Sequence, residues 1–444
     1  MSFKNFIQEK IILPCSDILT GQSVNKYLRL LMQSQYWSRQ QIDNFQNERL
    51  RLLIAHAYAN VPFYRDEMDK LGLKPADIQT KTDLKKLPIL TKAQIKKEGI
   101  SRFTAKNIPS KQIMKAASSG STGEPLHYLR TKEAYSVNIA ANLRGWYGME
   151  YRLGDRYVKL SGQSRKKLIK RIQDKITNNL YVPTSPLTDE NFAHILQSIE
   201  TYKPKIIRCY PDPLLLIARY KKTYSEYKYS PLAINTTGSI LSFESRKEIE
   251  DAFGCKIFDA YSCEGNACVF ECPTHSCYHS AEEYGISEII DEYGNPVEKG
   301  IGRLISTDLW NFAHPFIRYN TQDLLEINDS PCECGRKHLK VLKIWGRENE
   351  ILVMPSGRKF TAHDFSIFIT NNSIIDKSIE QFQIIKKRDN SVRFKLVVNQ
   401  RFNTKTEIYF TNFWEKELGV SVTVELLKEI PIMKNNKRRF IVNE

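Results

Sequence analysis

Between residues 205 and 261 three short apolar runs recur: Lys205-Ile-Ile-Arg-Cys-Tyr210, Leu232-Ala-Ile-Asn-Thr236 and Lys256-Ile-Phe-Asp-Ala-Tyr261. Longer polar stretches with helical spacing separate them, and the same texture extends from about 115 to 350. Short apolar runs of this kind read as buried strands, and strands that alternate with helices build an α/β domain around a buried sheet. The chain of 444 residues has room for two to four domains at roughly 100–200 residues each.

The flanking regions have a different rhythm. Asn47–Tyr58 places apolar residues at helical spacing and stops near Asn60-Val-Pro62. Thr82-Asp-Leu-Lys-Lys-Leu-Pro88 and Thr91-Lys-Ala-Gln-Ile-Lys-Lys97 each begin with a residue suited to capping a helix. After Gly346-Arg347 come strand-like runs at Gln383-Ile-Ile, Val392–Val398 and Val422–Leu427, with a helix near Thr406–Leu418. That unit reads as a small α+β lobe. The expected division is therefore a large multi-layer N-terminal α/β domain, 1–347, and a small C-terminal α+β domain, 348–444. The former comprises a helical entry segment 1–114 and a core 115–347.

Composition narrows the function. No apolar run approaches the roughly 20 residues of a spanning helix, so no transmembrane segment is expected. The start, broken by charges and Pro14, does not read as a signal peptide, which points to the cytoplasm. With 66 Lys+Arg against 50 Asp+Glu the net charge is +16, which favours anionic partners. The densest basic stretch, Arg165-Lys-Lys-Leu-Ile-Lys-Arg171, has the ordinary reading of a solvated helix face. No nucleic-acid module signature accompanies it, so no specific nucleic acid is expected.

Nine cysteines do not make a disulfide scaffold in a chain this long. Cys15, Cys209 and Cys255 are scattered and read as small buried apolar groups. The others fall between Cys263 and Cys334, close to His275 and His279. Cys272-Pro-Thr-His-Ser-Cys-Tyr-His279 and Cys332-Glu-Cys334 offer more than the four ligands that structural zinc needs, within an insertion spanning 263–336.

Four further motifs could carry chemistry. Ser118-Ser-Gly-Ser-Thr-Gly-Glu-Pro125 has two glycines for a tight loop, with backbone N–H groups and hydroxyls that can converge on an anion; it is not a P-loop. Tyr261-Ser-Cys-Glu-Gly265 follows a predicted strand and puts a carboxylate where a nucleotide-bound Mg²⁺ could be held. In Thr307–Asp323 and Ile344–Glu350, Asp323 could accept hydrogen bonds from ribose hydroxyls and Arg347 could donate to the sugar or a phosphate. Pro431-Ile-Met-Lys-Asn-Asn-Lys-Arg-Arg439 supplies cations able to neutralise charge during acyl transfer. Each has an ordinary alternative: linker, solvent-facing Glu, structural ion pair and solvated tail.

Taken together and in this order, the four motifs resemble the adenylate-forming, acyl-CoA synthetase-like superfamily. Within it they look most like the phenylacetate–CoA ligase family, including its capsule-biosynthesis branch labelled CapK. Asn60-Val-Pro-Phe-Tyr64 and Leu84-Lys-Lys-Leu-Pro-Ile-Leu-Thr-Lys92 are similar to that family's N-terminal pattern, so the resemblance spans nearly the whole chain. It implies that Ser118, Ser119, Gly120, Ser121, Thr122 and Gly123 close over the ATP β,γ-phosphates. Tyr261 would flank adenine, Glu264 would ligate Mg²⁺, Asp323 would bind the ribose and Arg347 would support it. Lys437 would contact the carboxylate and α-phosphate, with Lys434 as its rival. The C-terminal lobe would be mobile, hinged near Glu348, and the acid would sit around Tyr210 and Gly238. For zinc, the resemblance favours Cys272, His279, Cys332 and Cys334 over His275 or Cys277.

The sequence departs from the family pattern in places. Glu124 stands where many relatives carry Lys, Tyr261–Glu264 is one residue shorter than usual, and Asn436 replaces a Gly. The implied reaction is ATP-dependent adenylation of a carboxylic acid followed by acyl transfer. Coenzyme A is the default acceptor, and an amine in capsular or O-antigen polysaccharide biosynthesis is the alternative. A homodimer is compatible with this reading. The competing classes are a degenerate ATP-binding relative and a basic, zinc-containing nucleic-acid-binding protein.

Overall fold

The apolar runs become strands with little displacement. The computed structural model describes residues 2–117, 126–162, 168–224, 226–263, 268–347, 352–360, 365, 368–369, 372, 374–375, 378–430 and 440–444. Strands β1 (Ile113–Ala117) and β2 (His127–Thr131) form an antiparallel hairpin with Ala117 opposite His127.

The main sheet follows. Its first five strands in chain order are β3 (Tyr157–Ser161), β4 (Asn179–Pro183), β5 (Ile206–Cys209), β6 (Ala233–Thr237) and β7 (Lys256–Ser262). They pair in parallel in the spatial order β4-β3-β5-β6-β7. Helices Asp189–Tyr202, Pro211–Thr223 and Phe243–Phe253 make crossovers between them. Ile207, Ile234 and Ile257 from adjacent strands are all buried, as expected for parallel strands covered by helices.

Beyond β7 the sheet continues antiparallel through β8 (Cys268–Glu271), β9 (Tyr278–Ser280), β10 (Gly285–Ile290), β11 (Gly300–Asp308), β12 (Tyr319–Ile327) and β13 (Lys340–Arg347). Their spatial order from β7 is β8-β9-β13-β12-β11-β10, which makes the sheet 11-stranded. Although β8 and β9 separate β7 from β13 in the sheet, Tyr261 near the end of β7 reaches Asp323 on β12. That placement positions the site described below.

The entry segment packs on this sheet. Helix Arg39–Asn60 is longer than the run at Asn47–Tyr58 suggests, because Ser38 caps it a full two turns earlier. Thr91 caps Lys92–Glu98 as expected. Thr82 does not cap a helix: Lys81–Lys86 is a 3₁₀ turn, and Asp83 Oδ2 accepts from the backbone N–H groups of Gln79 and Thr80. Aspartate competes well for such local bonds, which explains the shift.

After β14 (Leu352–Val353) and β15 (Lys359–Phe360), the C-terminal sheet comprises β16 (Ile379–Lys386), β17 (Val392–Val398), β18 (Val422–Leu426) and β19 (Ile441–Asn443), in the order β18-β17-β16-β19. Helix Thr404–Leu418, capped by Asn403, lays Phe410 and Trp414 against Phe394 and Phe365. These side chains are buried in a core of their own, each contributing roughly 1.5–3 kcal/mol or more through burial.

Candidate active site

A cleft of about 1420 Å³ opens at the carboxyl ends of β5, β6 and β7. Ligands in open α/β sheets gather at that end of the strands. Tyr210 and Pro211 follow β5, Thr237–Ser239 close β6, and Tyr261 lies near the end of β7. Ile344, Gly346 and Arg347 of β13 form another wall, and Phe382 and Phe440 of the C-terminal lobe a further one. Tyr128 and Arg130 of β2 also line the cleft.

Three residues that are distant in sequence meet here. Asp323 on β12 is the register partner of Arg347 on β13, and Arg347 Nε lies 3.6 Å from Asp323 Oδ1. The Tyr261 hydroxyl donates to Asp323 Oδ2 at 2.6 Å. Asp323 is buried, whereas the Arg347 side chain retains partial exposure to the cleft. Burial, and then the neighbouring Asp323 carboxylate, raise the Tyr261 pKa well above its ordinary value. The phenol therefore stays a neutral hydrogen-bond donor.

Two glycines shape the walls. Gly346 has φ +87°, and a β-carbon there would come within 2.5 Å of Ile240 Cδ1. Gly238 has φ +88°, and its β-carbon would lie 2.7 Å from the Tyr210 ring. Both positions need the left-handed backbone and the missing side chain. Tyr210 and Gly238 are thus in direct contact on the cleft wall.

Ser118, Ser119, Gly120, Ser121, Thr122 and Gly123 lie outside the described residues, as do Glu124, Glu264, Lys434, Asn436, Lys437 and the hinge position Glu348.

Sequence reasoning passed over Asp259. It is buried in β7 and lines the cleft, accepting from Thr236 Oγ1 at 2.7 Å and from the Tyr278 hydroxyl at 3.3 Å. Burial pushes its pKa up to about 7. The available signal was an aspartate inside an otherwise apolar strand run. Beside it, Glu271 Oε2 accepts from the Asp259 N–H and from Arg246, both at 2.8 Å.

The cysteine cluster lies behind this wall. The donor atoms of Cys272, Cys277, His279 and Cys332 are all within 4.8 Å of one another, and all four residues are buried. Cys272 Sγ is 3.8 Å from Cys332 Sγ, and Cys277 Sγ is 3.6 Å from both Cys332 Sγ and His279 Nε2. Zn–S and Zn–N bonds of about 2.3 and 2.05 Å at tetrahedral angles require about 3.8 Å between sulfurs and about 3.6 Å from sulfur to nitrogen. The donor set therefore fits a closed Cys₃His zinc site. Cys334 Sγ, 3.2 Å from His279 Nε2, touches this set but lies outside the mutual group. His275 is turned away, 3.1 Å from Glu271. Of the scattered cysteines Cys209 is buried, Cys255 is half-buried and Cys15 is exposed, contrary to expectation. Its helix, Leu13–Thr20, turns Asp17 rather than an apolar residue inward.

A family model described as the CapK C-terminal domain matches residues 352–444. The phenylacetate-coenzyme A ligase of Thermus thermophilus is 23% identical over 82% of this chain and 83% of that protein. Protein CapK of Staphylococcus aureus is 24% identical over 90% of this chain and 88% of its own length. Among solved structures, 2-hydroxyisobutyryl-CoA ligase in the postadenylation state, in complex with 2-HIB-AMP, superposes with a TM-score of 0.74. It shares 17% identity over 92% of this chain and 91% of that one. The mixed sheet and the small C-terminal lobe thus share the fold of that acyl-CoA ligase. By sequence the chain is similar to phenylacetate-coenzyme A ligases and to protein CapK, and its residues 352–444 match the CapK C-terminal domain.

Proposed function

We propose that this protein activates a carboxylic acid with ATP and transfers the acyl group to coenzyme A. The observation that carries the reading is the Tyr261–Asp323–Arg347 constellation on the wall of the cleft. A buried carboxylate with an arginine alongside suits a vicinal diol, because it accepts two hydrogen bonds while the guanidinium balances its charge. In this reading Asp323 holds the ribose, Arg347 steadies it and Tyr261 orients the carboxylate and covers the adenine. Ser118–Gly123 receive the β,γ-phosphates, with Glu124 at the edge of that loop.

The substrate carboxylate attacks the α-phosphorus, the bond to the bridging oxygen of pyrophosphate breaks, and acyl-adenylate forms. Lys437 contacts both reacting groups and stabilises the developing charge. Mg²⁺, held by Glu264, supplies neutralisation of the phosphates when bound. The thiol of coenzyme A then displaces AMP, losing its proton to solvent. The acid occupies the space beside Tyr210 and Gly238. The Cys₃His set holds zinc as a structural tie between the 272–279 loop and the 332 turn, because four protein ligands leave no open position. Cysteines without disulfides suit a cytoplasmic setting.

The match of residues 352–444 to the CapK C-terminal domain supports a second reading, in which the acceptor is an amine of a capsular or O-antigen precursor. Carboxylate-dependent ATP–pyrophosphate exchange over aryl, aliphatic, hydroxy and amino acids tests the first step, with Lys437→Ala and Lys434→Ala in parallel. Exchange with one acid class, lost in Lys437→Ala, is the expected result. Tight ATP binding without exchange would make the protein a degenerate binder. Adding coenzyme A or amines after exchange identifies the acceptor by the product formed.

A further inference from the structure

Helix Leu168–Ile176 is inside out. At 100° per residue, Leu168, Ile172 and Ile176 fall within an arc of about 80°. They are exposed by 69%, 50% and 48% respectively. Asp174, about 200° round the helix from Ile172, is the buried residue among the described side chains of this helix, and its carboxylate accepts from Asn179 Nδ2 at 2.7 Å. A surface helix normally does the reverse, with its apolar stripe on the core. Lys170, Arg171 and Lys175 are exposed, and the last two border the apolar stripe.

A second segment, distant in sequence, shows the same inversion next to it. Phe3–Ile7 and the turn that follows bury Asn5 and Gln8 while Phe3 and Phe6 stand 80% and 49% exposed. Asn5 donates to the Leu153 carbonyl and to Asp155, and Gln8 donates to the Ile176 carbonyl at 2.7 Å. That last bond joins the two segments edge to edge. Lys4 and Lys10 are exposed along the same stretch.

We propose that this face docks the protein on an anionic lipid bilayer, with Phe3, Phe6, Leu168, Ile172 and Ile176 entering the headgroup boundary. The charge pattern selects that occupant. Apolar residues flanked by exposed lysines and arginines fit an interface where alkyl groups go inward and cations stay with phosphates. A second copy of the chain would bring the same cations against one another. Among the described residues no helix is long and apolar enough to cross a membrane, so the docking is peripheral. The inference is independent of which acid or acceptor the cleft takes.

The test is co-sedimentation of the full chain with vesicles of phosphatidylcholine alone or with about one third phosphatidylglycerol. Binding should be at least about tenfold tighter to the anionic vesicles and should weaken steeply with salt. A Leu168→Ser, Ile172→Ser double variant and a Lys170→Glu, Arg171→Glu, Lys175→Glu triple variant should each lose it, with melting temperatures close to that of the parent. Because all these positions are exposed, the fold should tolerate them. Equal binding to both vesicles, no binding, or variants that sediment like the parent would overturn the proposal. So would a parent dimer that Ile172→Ser converts to monomer.

Discussion

Two buried carboxylates, Glu283 and Asp323, each sit beside an arginine, and they differ in what surrounds them. Glu283, between β9 and β10, has Oε1 2.7 Å from Arg144 and 3.0 Å from His338 Nε2, with both side chains nearly closed to solvent. Neighbouring Glu282 binds Arg39 at 2.7 Å and the Leu339 N–H at 2.6 Å. This pair of acids ties the entry helices, helix Lys132–Gly148 and the segment after Cys334 into one body. Asp323 instead meets its arginine at 3.6 Å, beyond hydrogen-bonding distance, on the wall of a large cleft. A closed ion pair resists change; one with a loose partner and an open side can exchange contacts with a ligand. Structure is held at the first, and chemistry is expected at the second.

The sharpest way to break this contrast is Glu283→Ala. It strands Arg144 without its counter-charge and His338 without its partner, and should cost about 3–5 kcal/mol in urea unfolding. The parent's acid response should point to the same residue. Burial alone would raise the Glu283 pKa, but Arg144 and His338 outweigh it and hold it well below the usual range. Its contribution is therefore present above the unfolded value of about 4.3 and is lost as pH falls toward the folded one. Asp323→Asn should weigh on activity instead, lowering pyrophosphate exchange by about a hundredfold while costing about 1–3 kcal/mol in unfolding, less than at Glu283. Equal stability losses at both positions would erase the distinction.

Asp259 sharpens it further, as a carboxyl that lines the cleft and is raised to about 7 by burial. Stability tied to its neutral form is full below about pH 4 and declines as pH rises through 7. Asp259→Asn should remove a decline on the order of 2 kcal/mol between pH 5 and 7, read from denaturation midpoints. The smallest effect concerns the metal set. Zinc per chain should fall from about one to less than half in Cys277→Ser and stay near one in Cys334→Ser. The reverse outcome would restore Cys334 as the fourth ligand.

Much of the fold was legible because it depends on local pattern. The runs at 205–210, 232–236 and 256–261 became β5, β6 and β7, and Val392–Val398 became β17 with the same bounds. Asp323 and Arg347 were legible as candidates, but their pairing was not. It depends on the antiparallel register of β12 against β13, and the contact with Tyr261 joins residues 62 apart in the chain, without a local signal. The same holds for Cys277, whose proximity to Cys332 follows from the strand order rather than from spacing along the chain. Cys15 was misread in a different way. In the segment around it Asn5, Gln8 and Asp17 take the inward positions because each finds hydrogen-bonding partners there.

The central claim is that the cleft holding Tyr261, Asp323 and Arg347 binds the nucleotide. Calorimetric titration of ATP into the parent and into Asp323→Asn, at matched melting temperatures, tests it most directly. Saturable one-to-one binding by the parent, weakened at least about tenfold in the variant, is the predicted result. Equal affinity in the two proteins would contradict it and place the nucleotide elsewhere.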